Sequence, residues 1–354
     1  VEPATSARRA NRRRAAGRAS TALVAVAVAA LLAACCCGGG GTNGSNGIQV
    51  CIATNTDGLA PHSFNQLARD GAQQAGSSVQ VVVSHASTDY LSSLQQCAVS
   101  KPDLVIAVSP DMAAALSQAA QLHPGQRYAL VDSTPVDASG QSVDMNNVTD
   151  ILFNEPQPGY LVGALAGLLE ANKVGSVSHN VLGVLGMNHG PNVDPYIAGY
   201  VAGARSVDPT VSLKVTYSDS QDAAFCKQLG INQISSGADI LFEVTGRCAS
   251  GYIDAAYDAG AYAIGSDNDM AYASPAVITS ALKRVDRAVA LTVRRLHAGE
   301  FKSGKQIFAL QDDAIAFSTP SSVVPEEIIN QVIDIQTKIR NGLITPPTTI
   351  PPGV

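Results

Sequence analysis

The feature that most constrains this chain is a rhythm: short apolar runs alternating with stretches of helical periodicity, and the alternation runs through twice. The spacing predicts strands over Ile48–Ala53, Val79–Val83, Leu104–Val108 and Tyr128–Val131. Helices are predicted between them over Phe64–Ala75, Asp89–Val99 and Met112–Gln121, the last opened by Pro110-Asp111. A long helix over Gln157–Ala171 carries Gly159, Gly163 and Gly167, a spacing that permits close packing. The rhythm then restarts. Strands are expected over Val181–Leu185, Val211–Tyr217, Asp239–Val244 and Tyr262–Ile264, with helices over Val193–Arg205, Phe225–Ile234 and Gly251–Ala259. Late helices over Ala288–His297 and Glu326–Ile339 return to one unit or the other, and the Pro-rich stretch from Pro346 reads as disordered. Strand–helix–strand repetition implies parallel sheets with right-handed crossovers, hence two successive α/β lobes.

The N-terminus reads as a targeting segment. Arg8, Arg9, Arg12, Arg13, Arg14 and Arg18 precede an uncharged apolar run from Thr21 to Ala34, too short to span a membrane as a mature helix. The run closes on Leu32-Ala33-Ala34-Cys35, which resembles a bacterial lipobox, and a Gly-rich tether follows to Gly47. This implies a signal peptide over 1–34, lipidation of Cys35 and residence at the extracytoplasmic face of the cell membrane, held by acyl chains. In such an oxidising location the dispersed cysteines Cys51, Cys97, Cys226 and Cys248 can pair. Sequence alone admits every pairing; neighbourhood favours Cys51 with Cys97 and Cys226 with Cys248, each within one lobe.

Function must come from strand ends, because open α/β sheets bind ligands beyond the carboxyl ends of their strands. Ile264 leads into Gly265-Ser266-Asp267-Asn268-Asp269, and a second apolar run ends on Lys283. Earlier strand ends carry Asp57, with Ser63-Phe64-Asn65-Gln66 behind it, and Asp132-Ser133. Second-lobe ends carry Tyr217 to Asp222 and Thr245-Gly246-Arg247-Cys248. Carboxylate acceptors, an aromatic ring and backbone-exposing glycines on two facing edges describe a cleft for a small polyhydroxylated molecule with a flat ring. The net charge of −6 offers no basic face for nucleic acid. No Gly-x-Ser-x-Gly elbow, His-Glu-x-x-His pair or phosphate-binding Walker loop occurs, so neither catalytic residues nor a metal or cofactor site is expected.

Several ordered pieces carry a family resemblance: Ser63-Phe64-Asn65-Gln66 with Gly71, Gly159-Tyr160-Leu161-Val162-Gly163, Gly199-Tyr200-Val201-Ala202-Gly203, Gly237-Ala238-Asp239, Ile264 to Asp269, and Thr279 to Asp286. The chain resembles the basic membrane protein family of substrate-binding lipoproteins, the PnrA-like nucleoside-binding proteins. That resemblance implies a type I periplasmic-binding-protein fold, two Rossmann-like lobes with parallel sheets joined by a hinge. Residues 48–153 plus about 277–310 would form lobe 1, and 154–276 plus about 311–345 lobe 2, with 346–354 as tail. It also implies a purine nucleoside ligand (inosine, guanosine or adenosine) delivered to the permease and ATPase of an ABC importer. By position, Asp267 accepts from ribose hydroxyls with Lys283 beside it, and Asp57 and Asp132 face the ligand from the first lobe. Phe64 stacks on the base, Asn65 bonds to it, and the Gly246 backbone lies close. The chain departs from the family where a second stacking aromatic is expected, at Ser220, and in the turn Asp57 to His62. A receptor for another polyhydroxylated ligand such as a sugar, or a sensor serving a signalling partner, is the alternative.

Overall fold

Val50, Ile52 and all of Leu104–Val108 are buried, so these runs have no polar face to turn to water. Such strands belong in parallel sheets covered by helices on both sides. The computed structural model describes residues 47–352 and Val354. The expected signal peptide, Cys35 and nearly all of the tether lie outside the described residues. The first sheet contains β1 (Gln49–Ala53), β2 (Ser78–Val82), β3 (Leu104–Val108), β4 (Tyr128–Val131) and β5 (Val148–Phe153). The second contains β6 (Val181–Gly186), β7 (Ser212–Tyr217), β8 (Ile240–Val244), β9 (Tyr262–Asp267) and β10 (Val277–Lys283). Two later strands, β11 (Gly304–Phe308) and β12 (Ile315–Phe317), complete them.

The strand orders are β11-β5-β4-β3-β1-β2 and β12-β10-β9-β8-β6-β7, parallel throughout except for antiparallel β12. The two orders are the same pattern, so β4 of one lobe corresponds to β9 of the other, and β5 to β10. Helices α1 (Phe64–Gln74), α2 (Tyr90–Val99) and α3 (Ala113–Leu122) belong to the first lobe. Helices α4 (Pro156–Ala171), α5 (Asp194–Val207), α6 (Ala223–Ser235) and α7 (Ala249–Ala259) belong to the second. Helix α8 (Val285–His297) packs on α1, and α9 (Glu326–Arg340) packs on α4.

The glycine spacing of α4 acts as expected. A methyl group at Gly163 would collide with the Tyr200 carbonyl, and one at Gly203 with the Tyr160 carbonyl, so α4 and α5 touch backbone to backbone. Glu170, at the far end of α4, is fully buried, and neither of its carboxylate oxygens has a hydrogen-bond partner among the described residues. Burial, with Asp239 adding to it, pushes its carboxyl up to about 7.

The chain passes between lobes three times, at Asn154-Glu155, at Arg284 and through 309–314. The second crossing corrects the expected boundary near 277. The run Val277–Lys283 pairs with β9 and β12, so it stays in the second lobe and the chain crosses only after Lys283. The tail is also corrected: Pro346 is buried, and Ile344, Ile350 and Val354 pack against the main core, apolar contacts that a reading by proline content overlooks. Cys51–Cys97 fastens β1 to α2, and Cys226–Cys248 fastens α6 to the turn before α7; each bridge lies within one lobe. No described helix is long and apolar enough to cross a membrane.

Candidate functional site

The corresponding strand ends β4 and β9 each close on an aspartate in the left-handed backbone region, Asp132 with φ 63° and Asp267 with φ 67°. Non-glycine residues occupy that region at a cost, and such outliers cluster at ligand sites. Lys283, at the end of β10, stands between them. Its side chain is 2% exposed, and the ammonium lies 2.9 Å from Asp132 Oδ1, 3.5 Å from Glu155 Oε1 and 3.6 Å from Asp267 Oδ1. The rings of Phe153 and Tyr196 close around it at 5.9 Å and 5.4 Å. One cation thus joins a carboxylate of each lobe to a third on the first crossing.

The electrostatics follow from this crowding. Burial alone would depress the Lys283 ammonium, but Asp132, Asp267 and Glu155 reverse that and hold it well above the usual lysine range. Burial raises Asp132 despite the adjacent Lys283, and Asp267 adds to the rise. Burial likewise pushes Glu155 up to about 7, with Lys283 opposing. Asp267 keeps 36% of its side chain exposed, so it is the member of the cluster with room to accept from a ligand hydroxyl.

Neighbouring strand ends are braced by a residue that sequence reasoning passed over. Glu243, buried in β8, accepts from the backbone N–H and hydroxyl of Thr245 and from those of Ser266. Its carboxylate therefore fixes Thr245-Gly246 against Ser266-Asp267; Gly246 itself has φ 62°, accessible to glycine at little cost. The available signal was a charge inside the apolar run Ile240-Leu241-Phe242-Glu243-Val244.

On the first lobe, Ser63 caps α1 by accepting from the Gln66 N–H, which sets Phe64 and Asn65 at the head of that helix. Phe64 is half-buried and packs against the main core. Asn65 is buried; its amide donates to Asn55 Oδ1 at 2.6 Å, while its own Oδ1 has no partner among the described residues. Asp57 lies at the rim between the lobes. It pairs with Arg247 of the second lobe at 2.8 Å and is not among the carboxylates around Lys283. Asn192, from the loop before α5, also reaches across, donating to the Asp132 carbonyl at 2.8 Å. Of the expected residues, then, Asp132, Asp267 and Lys283 meet directly, whereas Asp57 joins the other lobe through an arginine.

A two-lobed α/β protein with polar strand ends meeting at its hinge can be compared with known proteins. The family description "ABC transporter substrate-binding protein PnrA-like" aligns with residues 48–349. The chain belongs to this family. PnrA-like proteins are substrate-binding components and not enzymes. Among curated relatives, the CD4+ T-cell-stimulating antigen of Listeria monocytogenes is 28% identical over 332 residues, covering 86% of this chain and 89% of that one. The ABC transporter nucleoside-binding protein BmpA of Lactococcus lactis is 25% identical, covering 85% of this chain and 89% of its own. Among solved structures, an ABC transporter solute-binding protein from Aeropyrum pernix superposes with a TM-score of 0.68 at 22% identity, over 85% of this chain and 93% of that one. That likeness confirms the type I binding-protein fold.

Proposed function

We propose that this PnrA-like protein is an extracytoplasmic, lipid-anchored receptor that closes on a purine nucleoside and hands it to an ABC importer. The observation that carries the reading is the Lys283 cluster, which concentrates acceptors from both lobes around a single buried cation. A vicinal diol suits such a site: one hydroxyl can donate to the partly exposed Asp267 while its oxygen accepts from Lys283. The Asn65 Oδ1, without a partner among the described residues, suits the amide or amine hydrogens of a purine, and the adjacent Phe64 supplies a ring for stacking. The Lactococcus lactis relative, named for nucleoside binding, supports the same ligand class.

Calorimetric titration with inosine, guanosine, adenosine, cytidine, ribose and glucose tests the reading. Asp267→Ala should lose about 1.5–3 kcal/mol of binding, the worth of hydrogen bonds to a charged group. The loss should shrink for a 2′-deoxynucleoside, which already lacks one donor. Phe64→Ala should weaken every base by about 1–3 kcal/mol, because stacking ignores exocyclic groups. Preference for a free hexose over all nucleosides would sink the nucleoside reading and favour a sugar receptor. The anchor has its own test. Cys35→Ser should release the protein from the membrane fraction, and a variant that sediments with membranes like the wild type would overturn lipidation.

A further inference from the structure

The hydrogen bonds of the first lobe do not stop at the ligand face. Asn65 donates to Asn55 Oδ1 at 2.6 Å. The Asn55 amide donates to Asp57 Oδ2 at 3.0 Å, and the Asp57 N–H returns to Asn55 Oδ1 at 3.2 Å. The other oxygen of Asp57 takes the Arg247 guanidinium of the second lobe at 2.8 Å, and the same guanidinium reaches Thr56 Oγ1 at 3.3 Å. An unbroken side-chain chain therefore runs from a buried, half-satisfied amide at the ligand face to an ion pair between lobes. Beside it the His62 and Tyr272 rings, one from each lobe, stack with centroids 4.2 Å apart and planes within 9°.

We propose that Asn55 couples ligand capture at Asn65 to an inter-lobe latch formed by Asp57 and Arg247. The coupling has a physical route. Asn65 Oδ1 takes a hydrogen from the ligand, and that bond fixes the orientation of its amide. A fixed Asn65 amide fixes Asn55, which accepts from Asn65 on one side, donates to Asp57 on the other and is itself buried. Asn55 in turn sets which way Asp57 faces, and the ion pair forms only when Asp57 faces the second lobe. The Asn65–Asn55 link is buried, where neighbouring hydrogen bonds reinforce one another, and the chain reaches water only at its Asp57–Arg247 end. Asp57 and Arg247 are positioning residues: they act on affinity by favouring the closed arrangement, without contact to the ligand. The inference rests on the reading that the cleft between the lobes holds the ligand.

The latch itself is a rim contact, with side chains 45% and 66% exposed, so its effect is bounded. Exposed pairs contribute modestly, and Arg247→Ala should weaken binding by about two- to five-fold. The factor should be equal for inosine, guanosine and adenosine, and it should vanish in high salt, where the wild type drops to the level of the variant. The charge exchange Asp57→Arg with Arg247→Asp should restore part of the affinity. Asn55→Ala should weaken binding in the wild type but add little in the Arg247→Ala background. Small-angle scattering of the ligand-free full chain supplies a readout that needs no ligand: Arg247→Ala should shift it toward a more open form. Unchanged affinity and unchanged scattering in Arg247→Ala would overturn the latch. Losses from Asn55→Ala and Arg247→Ala that simply multiply would overturn the coupling. A protein that binds no nucleoside fails the proposed function, and scattering still decides the latch.

Discussion

Lys283→Met should destabilise the protein by about 3–5 kcal/mol and abolish ligand binding, and the stability loss should be larger at pH 8 than at pH 5. The magnitude is that of removing one partner from a buried ion pair, which leaves uncompensated charge behind. Here the residue left behind is not one carboxylate but three, Asp132, Glu155 and Asp267. The pH dependence follows from sign. Asp132 and Glu155 already sit above their ordinary values because burial outweighs the pull of Lys283. Without the lysine they rise further. A carboxyl whose folded pKa lies above its unfolded value binds protons more tightly when folded, so its stabilising contribution is complete at low pH and is lost as pH rises through the folded value. At pH 5 Glu155, at least, can take up a proton and relieve the repulsion; at pH 8 it must ionise against its neighbours. Urea unfolding of wild type and variant at both pH values reads this directly. An equal loss at the two pH values would mean that Lys283 acts by packing against Phe153 and Tyr196 and not by charge.

The same cluster marks how far the sequence could be read. The strands that lie deep in each sheet were legible because they are continuous apolar runs: Leu104–Val108 and Tyr128–Val131 stand where periodicity put them. The strands nearest the crossings were not. Val148–Phe153 carries Thr149 and the buried Asp150, Gly304–Phe308 alternates as an edge strand does, and Ile315–Phe317 is three residues long. Missing β5 hid Glu155, which follows that strand closely, on the crossing into α4. Had β5 been paired with β10 by the repeated strand order, a charged residue just beyond it would have been sought opposite Lys283. Asp132 and Asp267 were legible because each ends a recognisable strand. Asp57 was read by the same rule. Its partner Arg247 lies 190 residues away on the other lobe, and no local pattern announces a contact of that kind.

The two disulfides should separate stability from affinity. A closed loop restricts the unfolded chain in proportion to the logarithm of its length. With separations of 46 and 22 residues, the Cys51→Ala/Cys97→Ala pair should cost about 4 kcal/mol and the Cys226→Ala/Cys248→Ala pair about 3 kcal/mol. Both bridges are buried within single lobes, so neither resists closure. Their surroundings differ. Cys51–Cys97 joins the middle of β1 to α2, and its loss should lower the denaturation midpoint while leaving ligand affinity within about two-fold. Cys248 ends the short turn Gly246–Cys248 that presents Arg247 to Asp57. Freed from Cys226, that turn loses its covalent tie to α6, while the hydrogen bonds from Thr245 to Glu243 still hold its other side. The second pair of substitutions should therefore weaken binding as Arg247→Ala does, and the two effects should not add, since both act on one contact. Thermal melts and calorimetry on the two double variants, under matched oxidising conditions, measure both quantities. Affinity lost from the first pair and not the second would contradict the placement of the latch, because the bridge beside Arg247 would then be the one without influence on it.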